Sequence, residues 1–308
     1  MAEKKKEPVF HYGGQAVIEG VMIRGRTQLV TAIRKPDGSV TVDKQSLSSL
    51  YTGKARTWPL IRGIIVLIES LVFGIKTLMF SANEALEDVG EGENVSGWWV
   101  WLVLAASLAF AVAVFFLGPL FLTQLLPISR SSVLFYLTEG VIRMVIFILY
   151  LWAISLMPDI RRVFAYHGAE HKTVNGYEAG AALEPQAVKG YSKAHVRCGG
   201  SFLFVVLIIA IIVFSLVGKQ ALWLMILSRV VLVPVIAALG YEVIFFGARH
   251  TDSLWVKIVL KPGMWVQSFT TREPDDKQLE VAIAAMKTAV EADEGRPLIV
   301  TEPGPQQA

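Results

Sequence analysis

Four long apolar stretches set the pattern of this chain, at residues 97–126, 133–157, 201–217 and 221–247. A helix crosses the hydrocarbon core of a bilayer with about 20 apolar residues, so stretches of this length predict transmembrane helices. The first, Gly97 to Leu126, has no charged side chain and opens on Trp98, Trp99 and Trp101, as an interfacial aromatic belt would. Val133 to Met157 carries Glu139 and Arg143, Ser201 to Val217 is uncharged and slightly short, and Ala221 to Gly247 holds Arg229, Pro234 and Glu242. Between residues 58 and 82 the apolar run is broken by Arg62, Glu69 and Lys76, whose spacing of seven puts them nearly on one helical stripe. That stripe predicts a helix lying at the interface or partly embedded among the spans, not a fifth crossing.

Elsewhere the period changes. Residues 9–57 alternate apolar and polar, as in Leu29-Val30-Thr31-Ala32-Ile33, and Pro36-Asp37-Gly38 is a hairpin turn, so this segment predicts a β-rich module. Its glycines Gly13, Gly14, Gly20 and Gly25 do not make a dinucleotide fingerprint. Within 248–292, Trp255 to Thr270 reads as a strand around Lys261-Pro262-Gly263, and Asp275-Asp276 caps a helix from about Lys277 to Glu291. An acidic linker is expected at 83–96 and a disordered tail at 293–308. The expected fold is a mainly α membrane protein with four transmembrane helices, an interfacial helix and a small β-containing module built from both ends of the chain.

Composition agrees with a bilayer as solvent, because 54% of the residues are hydrophobic and only 18% charged, against about a quarter charged in soluble domains. Lys4, Lys5 and Lys6 lead into a polar segment with no apolar core of a signal peptide. The 158–200 loop carries Arg161, Arg162, Lys172, Lys189, Lys193 and Arg197, while the other two loops hold only Arg130 and Lys219. With an even number of spans, this asymmetry predicts a multi-pass membrane protein with both termini and the 158–200 loop in the cytoplasm. The single Cys198 then lies in a reducing compartment. The net charge of +3 is spread along the chain, with no basic stripe for nucleic acid.

The chemistry concentrates in that loop. His167-Gly168-Ala169-Glu170-His171 reads HxxEH. On a helix the two histidines, four apart, share a face and can bind one Zn²⁺, with Glu170 beside them as a general base. His195 and Cys198 follow at ordinary ligand spacing, and Glu242 is a candidate carboxylate ligand from the fourth span. Against this, HxxEH is short enough to arise by chance, Gly168 weakens a helix, and loop histidines are often merely solvated. Glu139 and Arg143 are i,i+4 partners and read as a structural pair, whereas Glu242 needs a partner, either a metal or a charge from the 58–82 helix.

Three segments carry a resemblance: Gly13-Gly14-Gln15-Ala16-Val17-Ile18-Glu19-Gly20-Val21-Met22-Ile23-Arg24-Gly25, His167 to Lys172, and His195-Val196-Arg197-Cys198-Gly199-Gly200-Ser201-Phe202. Together they resemble the YqhQ-type family of bacterial membrane proteins from about His11 to Val290, including Gly240-Tyr241-Glu242 and Arg272-Glu273-Pro274. The resemblance implies a metal-dependent enzyme. Family members usually read His-Pro-Arg-Cys-Gly-Thr-Ser, and this chain departs at Val196 and Gly200 but keeps His195, Cys198 and Ser201.

The leading expectation is a bilayer-embedded protein holding a divalent metal, zinc by donor chemistry, through His167, His171 and some of His195, Cys198 and Glu242. As a hydrolase it would act on a membrane peptide or a lipid-linked molecule, with Glu170 activating water. The rivals are a non-enzymatic scaffold or assembly factor, and a transporter or channel, whose pathway would have to form between the subunits of a homo-oligomer.

Overall fold

Alternating side chains in the first fifty residues build a four-stranded antiparallel sheet in chain order, with β1 at Gly13–Val17, β2 at Gly20–Arg24, β3 at Gln28–Arg34 and β4 at Val40–Ser46. The computed structural model describes residues 10–48, 51, 53–86, 98–129, 132–218, 220–250 and 253–295. Of the linker expected at 83–96, residues 83–86 are instead helical and 87–96 lie outside the described residues; of the tail expected at 293–308, residues 293–294 are helical and 296–308 lie outside, as do Arg130 and Lys219. Pro36-Asp37-Gly38 closes β3 onto β4, with Gly38 at φ 89° and Lys35 receiving the turn's hydrogen bond. One face of the sheet, including Val21, Ile23, Val30 and Ala32, packs on two helices that come later in the chain.

The helices, in order, are α1 (Ile61–Leu86), α2 (Trp98–Gln124), α3 (Val133–Ile154), α4 (Pro158–Glu178), the single turn α5 (Pro185–Val188), α6 (Gly199–Val217), α7 (Leu222–Val231), α8 (Val233–Arg249), α9 (Leu254–Thr270) and α10 (Asp276–Glu294). Among the described residues α1, α2, α3 and α6 are each long and apolar enough to cross a membrane, and α7 with α8 form one further apolar pair bent by 44°. The fourth expected span is thus broken, with Pro234 in the first turn of α8, where its missing N–H costs nothing. The other expected spans are found, α6 starting two residues earlier than expected, and α2 passes through a π-helical turn at Ala113–Leu117.

Residues 254–270 correct an expectation, forming the helix α9 where a strand was anticipated, with Pro262 inside it. Its burial explains the difference. Gly263 brings α9 so close to α6 that an added Cβ would meet Ser201 Cα at 3.1 Å, and Val266 packs with Phe147, Leu151 and Leu207. Packing of this kind overrides the β-branched, Pro-Gly signature that read as a strand. α4 and α10 cover the sheet through Tyr166, Ala169, Leu279, Ala282 and Met286. α10 opens with a reciprocal capping box between Asp275 and Gln278.

The charges within the apolar helices find partners across long sequence separations. Glu139 accepts from Arg143 at 2.5 Å and also from Arg229 at 2.6 Å, and all three side chains are buried. Arg143 donates as well to the carbonyl of Phe115, in the π-helical turn, 3.0 Å away. Both guanidinium groups lie over the Phe214 ring.

Candidate metal centre

Three ligand atoms converge where α4 meets the entry to α6. One donor each from His167, His171 and Cys198 lies within 4.8 Å of the others. The helix supplies the first two, because residues four apart on α4 present their rings side by side, with centroids 4.4 Å apart. Cys198 arrives as the N-cap of α6, its sulfur accepting from Gly200 N–H at 3.3 Å and standing 3.2 Å from His167 Nε2.

Tautomers follow from the second set of contacts. His167 Nδ1 lies 2.8 Å from the Thr270 carbonyl and His171 Nδ1 lies 2.7 Å from the Lys193 carbonyl. A carbonyl only accepts, so both Nδ1 atoms carry hydrogen and both Nε2 lone pairs are left for a ligand. Metal-bound histidines are oriented in this way. Burial, with His167 alongside, pushes His171 down to about 2, and burial also lowers His167, so both rings are neutral at physiological pH. Burial pushes the Cys198 thiol up to about 12, so it holds its proton at physiological pH.

Glu170, between the two histidines, is buried, and its Oε1 accepts the Gly14 N–H of β1 at 2.9 Å. Among the described residues its Oε2 is buried without a hydrogen-bond partner. Burial raises this carboxyl to about 8, only partly opposed by the Gly14 hydrogen bond. A soft thiol, two imidazoles with oriented lone pairs and an orphaned carboxylate oxygen nearby suit a borderline divalent cation.

The other two expected ligands are placed differently. His195 is buried with its ring 5.6 Å from that of His171, but its Nε2 faces Glu178 at 3.7 Å and Arg197 at 3.3 Å. Burial would raise Glu178, yet the His195 hydrogen bond and the Arg197 charge outweigh it and hold the carboxyl at about 2. Glu242 does not join the cluster. Its carboxylate takes Arg62 Nε at 2.8 Å and Leu60 N–H at 3.0 Å, so its partner is a charge from the 58–82 helix.

Three contributors were not foreseen. The Thr270 and Lys193 carbonyls are backbone groups, and no side-chain pattern reveals them. Gln267 is buried, accepts from His195 N–H at 2.9 Å, and donates to His195 O at 2.8 Å and to Ser201 Oγ at 2.6 Å, fixing the segment that ends in Cys198. A lone amide after Trp265-Val266 was its available signal.

The model of a family described as a protein of unknown function (DUF1385) matches residues 58–292. An uncharacterized protein YqhQ of Bacillus subtilis (strain 168) is 37% identical over 298 residues, covering 92% of each chain. No solved structure matches.

Proposed function

From the premise that this chain belongs to the DUF1385 family, whose description assigns no activity, we propose that it is an integral membrane protein that holds one divalent transition-metal ion, zinc by donor chemistry, through His167, His171 and Cys198. The convergence of three donor atoms within 4.8 Å carries this reading. Mixed imidazole and thiolate donors suit zinc at tetrahedral distances, and three protein ligands leave a fourth position. The Lys and Arg of the 158–200 segment support placing the site and both termini on the cytoplasmic side of a bacterial membrane.

Bound there, the ion supplies Lewis acidity toward a water or a carbonyl oxygen. Glu170 brings a carboxyl whose Oε2 has no hydrogen-bond partner among the described residues and whose affinity for a proton lies near neutral pH. Such a group can take a proton from water and return it to a leaving group, and we assign it that role in a metal-dependent hydrolase. The substrate class is a membrane peptide or a lipid-linked molecule, reached from the bilayer side.

Burial of His171 and Cys198 favours a second reading, a non-enzymatic scaffold in which the ion pins α4, the 193–198 segment and Thr270 together. Elemental analysis of chelator-free, detergent-purified protein tests the site, with about one zinc per chain expected. Absence of metal, or unchanged occupancy in the His167→Ala, His171→Ala double variant, refutes it. Cobalt substitution separates the two readings. Azide changes the visible spectrum where a fourth position is open and leaves it unchanged where the ion is closed off.

A further inference from the structure

Helix α1 is apolar and long enough to cross a bilayer, yet its neighbours forbid it. Glu69 accepts from Arg24 of β2 at 2.9 Å and also from Arg56, and it is buried. Phe73 packs with Met22 and Leu29 on the face of the sheet turned away from α4 and α10. Farther on, Gly74 stands against the Gln15 amide, Ser81 Oγ accepts from Ile18 N–H at 3.3 Å, and Glu84 pairs with Lys35 at 2.9 Å. From Glu69 to Glu84 the helix therefore runs along a sheet that carries arginine, lysine and amide side chains. At 1.5 Å per residue that stretch covers roughly 23 Å, leaving roughly 12 Å of helix before it, against about 30 Å of hydrocarbon.

The opposite side of α1 is apolar and exposed. Ile61, Ile64, Ile68, Leu71, Val72 and Leu78 form it, with Leu71 62% exposed. At 3.6 residues per turn they fall in one band about 120° wide, separate from the band that carries Arg62, Glu69, Phe73 and Glu84. Trp58 stands exposed just before the helix. The first turns lean on α8, where a Cβ on Gly63 would meet Ala238 Cα at 2.9 Å and Arg62 binds Glu242. The start of α1 is thereby attached to a helix of the membrane region.

We infer that α1 lies in the plane of the bilayer as a one-sided anchor, its isoleucine and leucine band sunk into the acyl chains below the headgroups and its other face carrying the sheet. The inference rests on the membrane residence proposed above. It fixes the number of crossings at four, namely α2, α3, α6 and the bent α7–α8 pair, and leaves the two ends of α1 on the same side. The occupant of the band is lipid, because an in-plane helix with one apolar face, attached to a transmembrane helix, meets the bilayer before it meets anything else.

The test uses full-length protein in right-side-out and inverted membrane vesicles. Single cysteines are introduced as Trp58→Cys and Ala85→Cys and probed with a membrane-impermeant maleimide, with the buried Cys198 of the unaltered chain giving the background. Both positions are expected to label in the same vesicle orientation, whereas labelling from opposite sides overturns the inference. Spin labels at Leu71→Cys and Leu78→Cys are expected to collide with oxygen more than with a water-soluble nickel chelate, at a ratio several times that of a label at Lys44→Cys. Preference for the nickel chelate means that the band faces water, and shielding from both reagents means that protein or a second copy covers it. Either result removes lipid as the occupant. A Leu108→Cys control in the middle of α2 tests membrane residence separately, since preference for the nickel chelate there overturns the earlier reading itself.

Discussion

Gly168 sits inside the histidine motif, and the structure gives it a task that can be measured. A Cβ at this position would lie 2.1 Å from the carbonyl oxygen of Arg272, a backbone atom that cannot rotate aside. Reaching an ordinary contact needs more than about 1 Å of retreat by the 270–274 segment. That segment is anchored on both sides, by the Arg272 N–H to Phe164 O bond of 2.8 Å and by the Thr270 carbonyl that orients His167. Gly168→Ala gains about 1 kcal/mol of helix propensity and costs about 1–3 kcal/mol in overpacking. Net destabilisation is therefore small, at most about 2 kcal/mol. The larger effect falls on the metal, because losing the partner that orients a ligand histidine typically lowers affinity about 10–100-fold. Competition with a chromophoric zinc chelator in detergent, read beside the Tm, separates the two quantities. Gly199→Ala serves as the control, since a Cβ there meets nothing within 4 Å although Cys198 is its neighbour. A Gly168→Ala protein that binds zinc within about twofold of the native chain would falsify the role assigned to this contact.

Three further outcomes are expected. Glu139→Gln leaves Arg143 and Arg229 buried without their counter-charge, a loss of about 3–5 kcal/mol that would appear as a lower Tm and poor yield; adding Arg143→Met and Arg229→Met should recover much of it, and a single variant as stable as the native protein contradicts the pairing. Glu242→Gln should leave zinc stoichiometry unchanged, because Arg62 and Leu60 hold that carboxylate, so metal loss in this variant would reinstate Glu242 as a ligand. Zinc affinity should rise with pH between about pH 6 and 8 by about tenfold per unit from the proton of a thiol pushed up to about 12, and more steeply than that while Glu170 also gives one up, whereas His171, pushed down to about 2, has none to lose. Glu170, raised to about 8, is mostly protonated at pH 7 in the metal-free protein and should add a second proton release that Glu170→Gln abolishes; calorimetry in buffers of different ionisation enthalpy counts these protons.

What could be read from the sequence follows the range of the forces involved. The apolar helices 98–124, 133–154 and 199–217, the β-rich start and the turn at Gly38 depend on local period and turn chemistry, and they are where the pattern placed them. The pair His167 and His171 is local too, being one helical turn, and Cys198 joined it by ligand chemistry rather than by position. Partners separated by long stretches of chain were not legible. Arg229 finds Glu139 from 90 residues away, a pairing that no local pattern offered, whereas for Glu242 the sequence left a metal or a charge from the 58–82 helix open and the packing of helices decides for Arg62, 180 residues away.

Residues 254–270 show the same limit from the other side. Val256, Ile258, Val259 and Val266 with Pro262-Gly263 have the local signature of a strand and turn. The segment is nevertheless helical, because Gly263 must close on Ser201 and Gln267 must reach the backbone of His195. Both contacts lie beside the three-donor cluster. A strand rises about 3.3 Å per residue and sends residues four apart to separations near 13 Å. A helix keeps Gly263 and Gln267 on one face, one turn apart, so that the first sets the approach to α6 and the second holds the segment ending in Cys198. The carbonyl of Thr270 then falls at the end of the same helix, where its hydrogen bond is free to orient His167. The conformation that local pattern misjudged is the one that brings Gln267 and the Thr270 carbonyl to the segments around the three-donor cluster.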